Sequence, residues 1–195
     1  MTENLIHALV FIINTVLGLY TAAVLLRFLM QQVRADFYNP LAKAMMKATD
    51  PLLLPLRRVI RPWRRIDLAS LVLALLLQLV NVVVVTWLAN LTHGADDRFA
   101  YAPGFLSFWT VIKLIYILVN LYFFTILVEV LMSWFNQGRS PMDGLFRPLN
   151  APLLRPVRAI LPPLSGLDFS PLVILLLLQV IGYYFLPHIW PYMGI

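Results

Sequence analysis

Long apolar runs alternate with shorter polar segments along the chain. Four of these runs are long enough to cross about 30 Å of hydrocarbon as helices, which takes about 20 residues each. They extend over Leu5–Met30, Leu68–Leu91, Phe105–Phe135 and Phe169–Pro187. Because a backbone surrounded by lipid must satisfy its own hydrogen bonds, each run is predicted to be an α-helix. The pattern therefore predicts an all-α membrane protein with four transmembrane helices.

The composition agrees with this class of protein. Hydrophobic residues make up 61% of the chain and charged residues 12%, whereas soluble domains have roughly 45–50% and 25%. The first run lacks the basic leader of a secretory signal peptide, so we expect it to be retained as a span. The chain contains no cysteine, which excludes disulfide bonds, thiolate metal sites and thiol nucleophiles.

Positive charges are concentrated in the two loops that follow the first and third runs. The first loop contains Arg34, Lys43, Lys47, Arg57, Arg58, Arg61, Arg64 and Arg65, and the second contains Arg139, Arg147, Arg155 and Arg158. Between the second and third runs, Arg98 alone offsets Asp96 and Asp97. The positive-inside rule predicts that both basic loops are cytoplasmic and that both termini are periplasmic or extracellular.

The second half of the chain repeats the first in a constant register. In chain order, Pro51, Pro55, Arg57, Asp67 and Gln78 correspond to Pro152, Pro156, Arg158, Asp168 and Gln179. Each copy, over 1–91 and 105–195, consists of a span, a basic loop and a span. Because an even number of spans returns the chain to its starting side, the two repeats are predicted to be parallel rather than inverted.

Each basic loop contains a proline-rich segment, "DPLLLPLRRVIRP" at 50–62 and "APLLRPVRAILPP" at 151–163. Helical spacing places apolar residues on one side of each segment and arginines on the other. The arginines are Arg57, Arg58, Arg61, Arg64 and Arg65 in the first copy, and Arg155 and Arg158 in the second. Asp50 is predicted to cap the first helix, with Pro51 at its first position.

These segments are too short to cross the bilayer, so each is predicted to be an amphipathic helix on the cytoplasmic surface, in contact with anionic lipid. Two roles remain open for them. The helices could seal the cytoplasmic end of the bundle while their arginines reach phosphates, or they could form a docking surface or a cytoplasmic gate.

Charged residues next to the spans have separate predicted roles. Asp67 and Asp168 directly precede the second and fourth spans and are predicted to cap them. Arg27 and Glu129 occupy matching positions near the cytoplasmic ends of spans one and three, so they are predicted to form an ion pair. Lys113 is expected to extend its amine towards the membrane surface.

Five amide side chains lie near the middle of the spans: Asn14, Gln78, Asn81, Asn120 and Gln179. An amide in hydrocarbon needs a partner, so these side chains are expected to face the interior of the bundle. They would form either structural hydrogen bonds between helices or the lining of a permeation path.

No motif for catalysis or cofactor binding occurs in the sequence. A glycine-rich phosphate loop, a nucleophile motif and a helical carboxylate pair are all absent. The three histidines are widely separated, which is not the spacing of metal ligands. The sequence therefore predicts a protein that is not an enzyme, has no cofactor or metal and does not bind nucleic acid.

The duplicated proline and arginine segments, followed by "DLASLV" and "DFSPLV", resemble the YggT family, also called the YlmG family. The resemblance covers nearly the whole chain. Members of this family are integral proteins of bacterial inner membranes and plastid membranes, associated with osmotic tolerance, potassium or ion homeostasis, division and organelle biogenesis, so the resemblance implies a protein of the bacterial inner membrane. The copies differ, since Arg61 corresponds to Pro162 and Arg64 and Arg65 have no counterparts. Equal roles for the two halves are therefore not implied.

The predicted function is non-enzymatic support of osmotic tolerance or ion homeostasis, as a scaffold or regulator acting through the basic cytoplasmic helices. A partner protein of the membrane or of the division apparatus is compatible with this role, as is a homo-oligomer. The alternative is a transport protein that carries an ion such as potassium along a polar path between the repeats.

Overall fold

A computed structural model describes residues 2–35, 38–63, 66–93, 102–136, 143–161 and 168–185. The described residues fold as helices in the order α1 (Thr2–Gln32), α2 (Pro40–Val59), α3 (Leu68–His93), α4 (Pro103–Asn136), α5 (Asp143–Ile160) and α6 (Ser170–Val180). A π-helical turn, Ile181–Phe185, continues directly from α6. The prediction of an all-helical protein is confirmed.

Three helices are long and apolar enough to cross a membrane. The qualifying stretches are Asn4–Gln32 in α1, Leu68–Leu88 in α3 and Pro103–Ser133 in α4, and they coincide with the first three predicted spans. The fourth predicted span corresponds to the shorter apolar helix Ser170–Tyr183. The end of that span at Pro187 lies outside the described residues.

The helices α2 and α5 begin well before the proline-rich segments. Helix α2 begins at Pro40, so Pro51 and Pro55 lie inside it. The prediction that Asp50 caps this helix and that Pro51 starts it is therefore wrong. In α5 the internal prolines are Pro148, Pro152 and Pro156. Each internal proline removes one backbone hydrogen bond, so contacts with other helices must help to hold these two helices in place.

The chain divides into two compact units. The first contains Met1–Phe28 and Ala48–Ile117, and the second contains Leu29–Lys47 and Leu118–Ile195. In the second unit, α5 packs against α6, and Ile126, Leu154 and Ile174 form a buried apolar cluster. This cluster joins α4, α5 and α6. The predicted repeat boundaries, 1–91 and 105–195, remain a prediction.

Candidate functional site

Arginine–aspartate ion pairs occur at equivalent positions in the two halves. Arg57 Nη2 donates to Asp67 Oδ2 in the first unit. In the second unit, Arg158 Nε donates to Asp168 Oδ2 at 2.8 Å. The repeat register aligns the two arginines with each other and likewise the two aspartates. Two of the predicted surface arginines therefore join the end of a proline-rich helix to the start of the next apolar helix.

The two aspartates also bind the first turns of the helices that follow them. Asp67 Oδ2 accepts a hydrogen bond from Ser70 Oγ at 2.6 Å, and Asp168 Oδ1 accepts one from the Ser170 amide at 2.9 Å. The contact with Ser170 satisfies an amide that a helix N-terminus leaves unpaired. Asp67 directly precedes α3, as predicted for a cap. In α6 the capping position is occupied by Phe169, which forms no side-chain cap hydrogen bond, so Asp168 lies one residue before the predicted position. Each aspartate also has an arginine partner.

These contacts lower the pKa values of both carboxyl groups. Burial raises the pKa of Asp67, but hydrogen bonds from Arg57 and Ser70 outweigh burial and hold that pKa below its ordinary value. Burial also raises the pKa of Asp168, while hydrogen bonds from Ser170 and Arg158 bring the net pKa below the ordinary value. Both ion pairs are therefore charged at neutral pH.

A second contact holds α2 against α1 within the first unit. Arg27 Nη1 donates to Thr49 Oγ1 and to Asp50 Oδ1, each at 2.7 Å. The Arg27 side chain is 5% exposed and the Asp50 side chain 37%. A buried guanidinium on a membrane helix thus has a hydroxyl and a carboxylate partner on the proline-rich helix.

The second unit has a related contact between α4 and α5. Asn150 Nδ2 donates to Glu129 Oε2 at 2.8 Å, and Thr125 Oγ1 donates to Asn150 Oδ1 at 2.8 Å. Glu129 is the repeat counterpart of Arg27, and Asn150 aligns with Thr49. In each half, side-chain contacts therefore connect the first long apolar helix to the proline-rich helix. The first half uses an arginine with a hydroxyl and a carboxylate, and the second half uses an asparagine with a carboxylate and a hydroxyl. The predicted ion pair between Arg27 and Glu129 remains a prediction.

Other arginines of the proline-rich segments are exposed. Arg58, Arg61 and Arg155 lie at the surface and form no ion pair within the described ranges. The same segments also expose apolar side chains, with Val59 82% exposed and Ile160 79% exposed. The predicted Arg64 and Arg65 fall outside the described residues.

The amide side chains of the spans occupy different environments. Gln78 is buried and donates from Nε2 to Thr21 Oγ1 at 2.7 Å, which joins α3 to α1. Asn14 is half-buried and Asn81 is buried, whereas Asn120 and Gln179 are exposed. The burial of Gln78 and Asn81 agrees with the expected interior position, whereas the exposure of Asn120 and Gln179 does not. Gln179 is exposed although it repeats Gln78.

Lys113 does not extend its amine to the membrane surface as expected. Its ammonium donates to Asn14 Oδ1 at 2.5 Å and to Asn81 Oδ1. One lysine on α4 therefore contacts amide oxygens on α1 and α3. The sequence contained a signal for this cluster, since an isolated lysine in a long apolar run needs oxygen partners and two of the amides supply them.

Comparisons with known proteins match almost the entire chain. The model of the CCB3/YggT family matches twice, over 6–88 and 108–189. The chain belongs to the CCB3/YggT family. The two matched segments agree with the duplication visible in the sequence, and the predicted resemblance to the YggT family is confirmed.

Family relatives come from several bacteria. The protein YggT of Escherichia coli K12 is 39% identical over 180 residues, which are 90% of this chain and 88% of the relative. A Pseudomonas aeruginosa protein is 42% identical over 178 residues, which are 89% of this chain and 86% of the relative. A Haemophilus influenzae protein is 30% identical over 174 residues, covering 89% of each. No solved structure gives a significant match.

Proposed function

We propose that this CCB3/YggT family member is a non-enzymatic, four-span protein of the bacterial inner membrane that supports osmotic tolerance or ion homeostasis. Both of its termini lie outside the cytoplasm. It acts as a scaffold or regulator through α2 and α5, which lie on the cytoplasmic surface and present arginines to anionic lipid or to a partner protein.

The division of the arginines into two groups carries this proposal. Arg57 and Arg158 are held by aspartates, and these contacts fix the ends of α2 and α5. Arg58, Arg61 and Arg155 are exposed, and the same segments expose the apolar side chains of Val59 and Ile160. A fixed helix with a basic and apolar exposed surface suits the boundary between lipid headgroups and acyl chains.

The test replaces Arg58, Arg61 and Arg155 by glutamine in the full-length chain. Each lost charge near anionic lipid weakens attraction by about 1 kcal/mol. The variant is expected to fold and insert normally but to fail to restore growth at high osmolarity. Growth is measured in an Escherichia coli strain that lacks its own YggT, with the amount of membrane-inserted protein determined in parallel.

A matched control removes three positive charges from other exposed positions, all within α2 and α5. It replaces Lys43, Lys47 and Arg147 by glutamine, since all three side chains are exposed. The control is expected to keep growth close to that of the unchanged protein. Equal loss of growth in both triple variants would mean that total charge matters, and the proposed docking surface would be wrong.

Ion transport is the second candidate function. The contacts of Lys113 with Asn14 and Asn81 favour it, because ionisable groups within membrane spans often mark ion or proton pathways. Ion flux into liposomes that contain the purified protein, compared with empty liposomes, tests this candidate directly. Flux that disappears on replacement of Asn14 and Asn81 by leucine would replace the scaffold proposal with a conduction path.

A further inference from the structure

Three membrane helices of the first unit meet at one ammonium group. Lys113 on α4 donates to the side-chain oxygens of Asn14 on α1 and Asn81 on α3. At 1.5 Å per residue, Lys113 lies about 15 Å along α4 from Pro103. This depth corresponds to the hydrocarbon region of a bilayer about 30 Å thick. The amine is therefore held by amide oxygens at a depth where a charge is costly without partners.

Amide and carbonyl oxygens are also the ligands that proteins use for monovalent cations within membranes. A third such oxygen lies close by along α3, where Gln78 precedes Asn81 by one turn on the same face. Gln78 is fully buried, and its Oε1 atom receives no hydrogen bond from the described part of the chain. The interface between α1 and α3 thus offers more oxygen acceptors than the lysine uses.

We infer that the amide oxygens of Asn14, Gln78 and Asn81 form a monovalent-cation site and that Lys113 occupies this site as a tethered ammonium. The ammonium and a free cation compete for the same oxygens, so the resident lysine excludes K⁺ and Na⁺. Removal of the lysine amine leaves a site that accepts either ion. No residue of α2 or α5 takes part, so the inference does not depend on the proposed surface role.

The experiment compares thermal unfolding of full-length Lys113→Ala and unchanged protein in detergent. Each protein is measured in KCl, NaCl and choline chloride at equal ionic strength. In the alanine variant K⁺ or Na⁺ is expected to raise Tm by roughly 3 °C over choline, the shift for a cation at about tenfold its Kd. The unchanged protein is expected to show the same Tm in all three salts.

Two further variants separate a specific site from a general salt effect. Lys47→Ala removes an exposed lysine and is expected to show no difference between the salts. Lys113→Ala combined with Asn81→Leu removes a fully buried oxygen ligand, so the Tm shift in K⁺ or Na⁺ is expected to disappear. A shift that survives in this double variant would overturn the proposed ligand set.

Chemical restoration of the amine provides an independent test, because the chain contains no cysteine. Lys113→Cys is treated with aminoethyl methanethiosulfonate, which attaches an ammonium, or with methyl methanethiosulfonate, which attaches a neutral group. The Tm of the neutral product is expected to rise in K⁺ or Na⁺ relative to choline. The Tm of the ammonium product is expected to be the same in all three salts. Equal Tm values in all three salts for the neutral product and for Lys113→Ala would overturn the inference. Failure of both to fold in any salt would also overturn it, because free cations would then not replace the ammonium.

Discussion

At the scale of single residues, the two repeated ion pairs differ in their exposure to solvent. The Asp67 side chain is 11% exposed and the Asp168 side chain 35%. Hydrogen bonds to buried charged groups contribute more to stability than exposed ion pairs do. The two arginine–aspartate pairs are therefore expected to make unequal contributions to the free energy of unfolding, although they occupy equivalent positions.

Replacement of each aspartate by asparagine tests this difference. Asp67→Asn is expected to lower the free energy of unfolding by about 2 kcal/mol, because it weakens a buried charged contact. Asp168→Asn is expected to cost about 0.5 kcal/mol, as for an exposed ion pair. Denaturant unfolding of the purified variants measures both values, and a larger cost for Asp168→Asn would contradict the assignment.

The lowered pKa of Asp67 also predicts how stability depends on pH. A carboxyl group whose pKa is lower in the folded state stabilises the protein above its unfolded pKa of about 3.9 and loses this contribution as pH falls through the folded pKa. The Tm difference between unchanged protein and Asp67→Asn should therefore be constant from pH 7 to about pH 5 and shrink below pH 4. A Tm difference that grows as the pH falls would contradict this prediction.

At the scale of helices, the contacts that flank the internal prolines explain why α2 continues through them. Arg27 binds Thr49 and Asp50 just before Pro51, and Arg57 binds Asp67 just after Pro55. The sequence alone predicts that this helix begins at Pro51, because proline is favoured in the first turn of a helix. The partner that engages Asp50 lies on another helix, so local preference could not reveal it.

The contact between Arg27 and Asp50 predicts an unequal response to the loss of either partner. Asp50→Leu leaves a buried arginine without its carboxylate and is expected to cost about 3 kcal/mol. Arg27→Leu leaves a half-exposed aspartate that water can reach, so it is expected to cost about 1 kcal/mol. The double variant should cost less than the sum of the two single changes, as measured by thermal unfolding.

A second double-mutant cycle addresses the predicted pair of Arg27 and Glu129. If these charges attract each other, Arg27→Leu and Glu129→Leu together should cost less than the sum of the single changes. Additive losses would contradict the pair. The cycle with Asp50 serves as its positive control, since the structure contains that contact, with 2.7 Å between Arg27 Nη1 and Asp50 Oδ1.

At the scale of the whole molecule, the positions of the first three predicted spans could be predicted from sequence, because α1, α3 and α4 contain the long apolar stretches that hydropathy detects. The duplication could also be predicted, because proline and arginine positions keep one register. The sequence signals that Lys113 needs oxygen partners, but it does not identify Asn14 and Asn81 as those partners, since this depends on which faces of three distant helices meet. The exposed position of Gln179 shows that repeated residues need not have repeated surroundings.

The predicted orientation is tested with single cysteines in this cysteine-free chain. Lys47→Cys should react with a membrane-impermeant maleimide only in inverted vesicles, because the basic loops are predicted to be cytoplasmic. Gly104→Cys, at the start of α4 and just before the predicted span Phe105–Phe135, should react only in intact spheroplasts. Both replaced residues are exposed, so access within the protein does not limit labelling. Reversal of the two patterns would invert the topology.

The internal prolines of α2 and α5 also bear on how the chain is inserted during synthesis. Each proline deprives the carbonyl four residues earlier of its usual helical donor, and a carbonyl without a donor is costly in hydrocarbon. A nascent α2 that entered the lipid would carry that cost at Lys47 and Pro51, besides the charges of its arginines. The prolines are therefore expected to disfavour entry of α2 and α5 into lipid, which is consistent with the proposed position of both helices at the membrane surface.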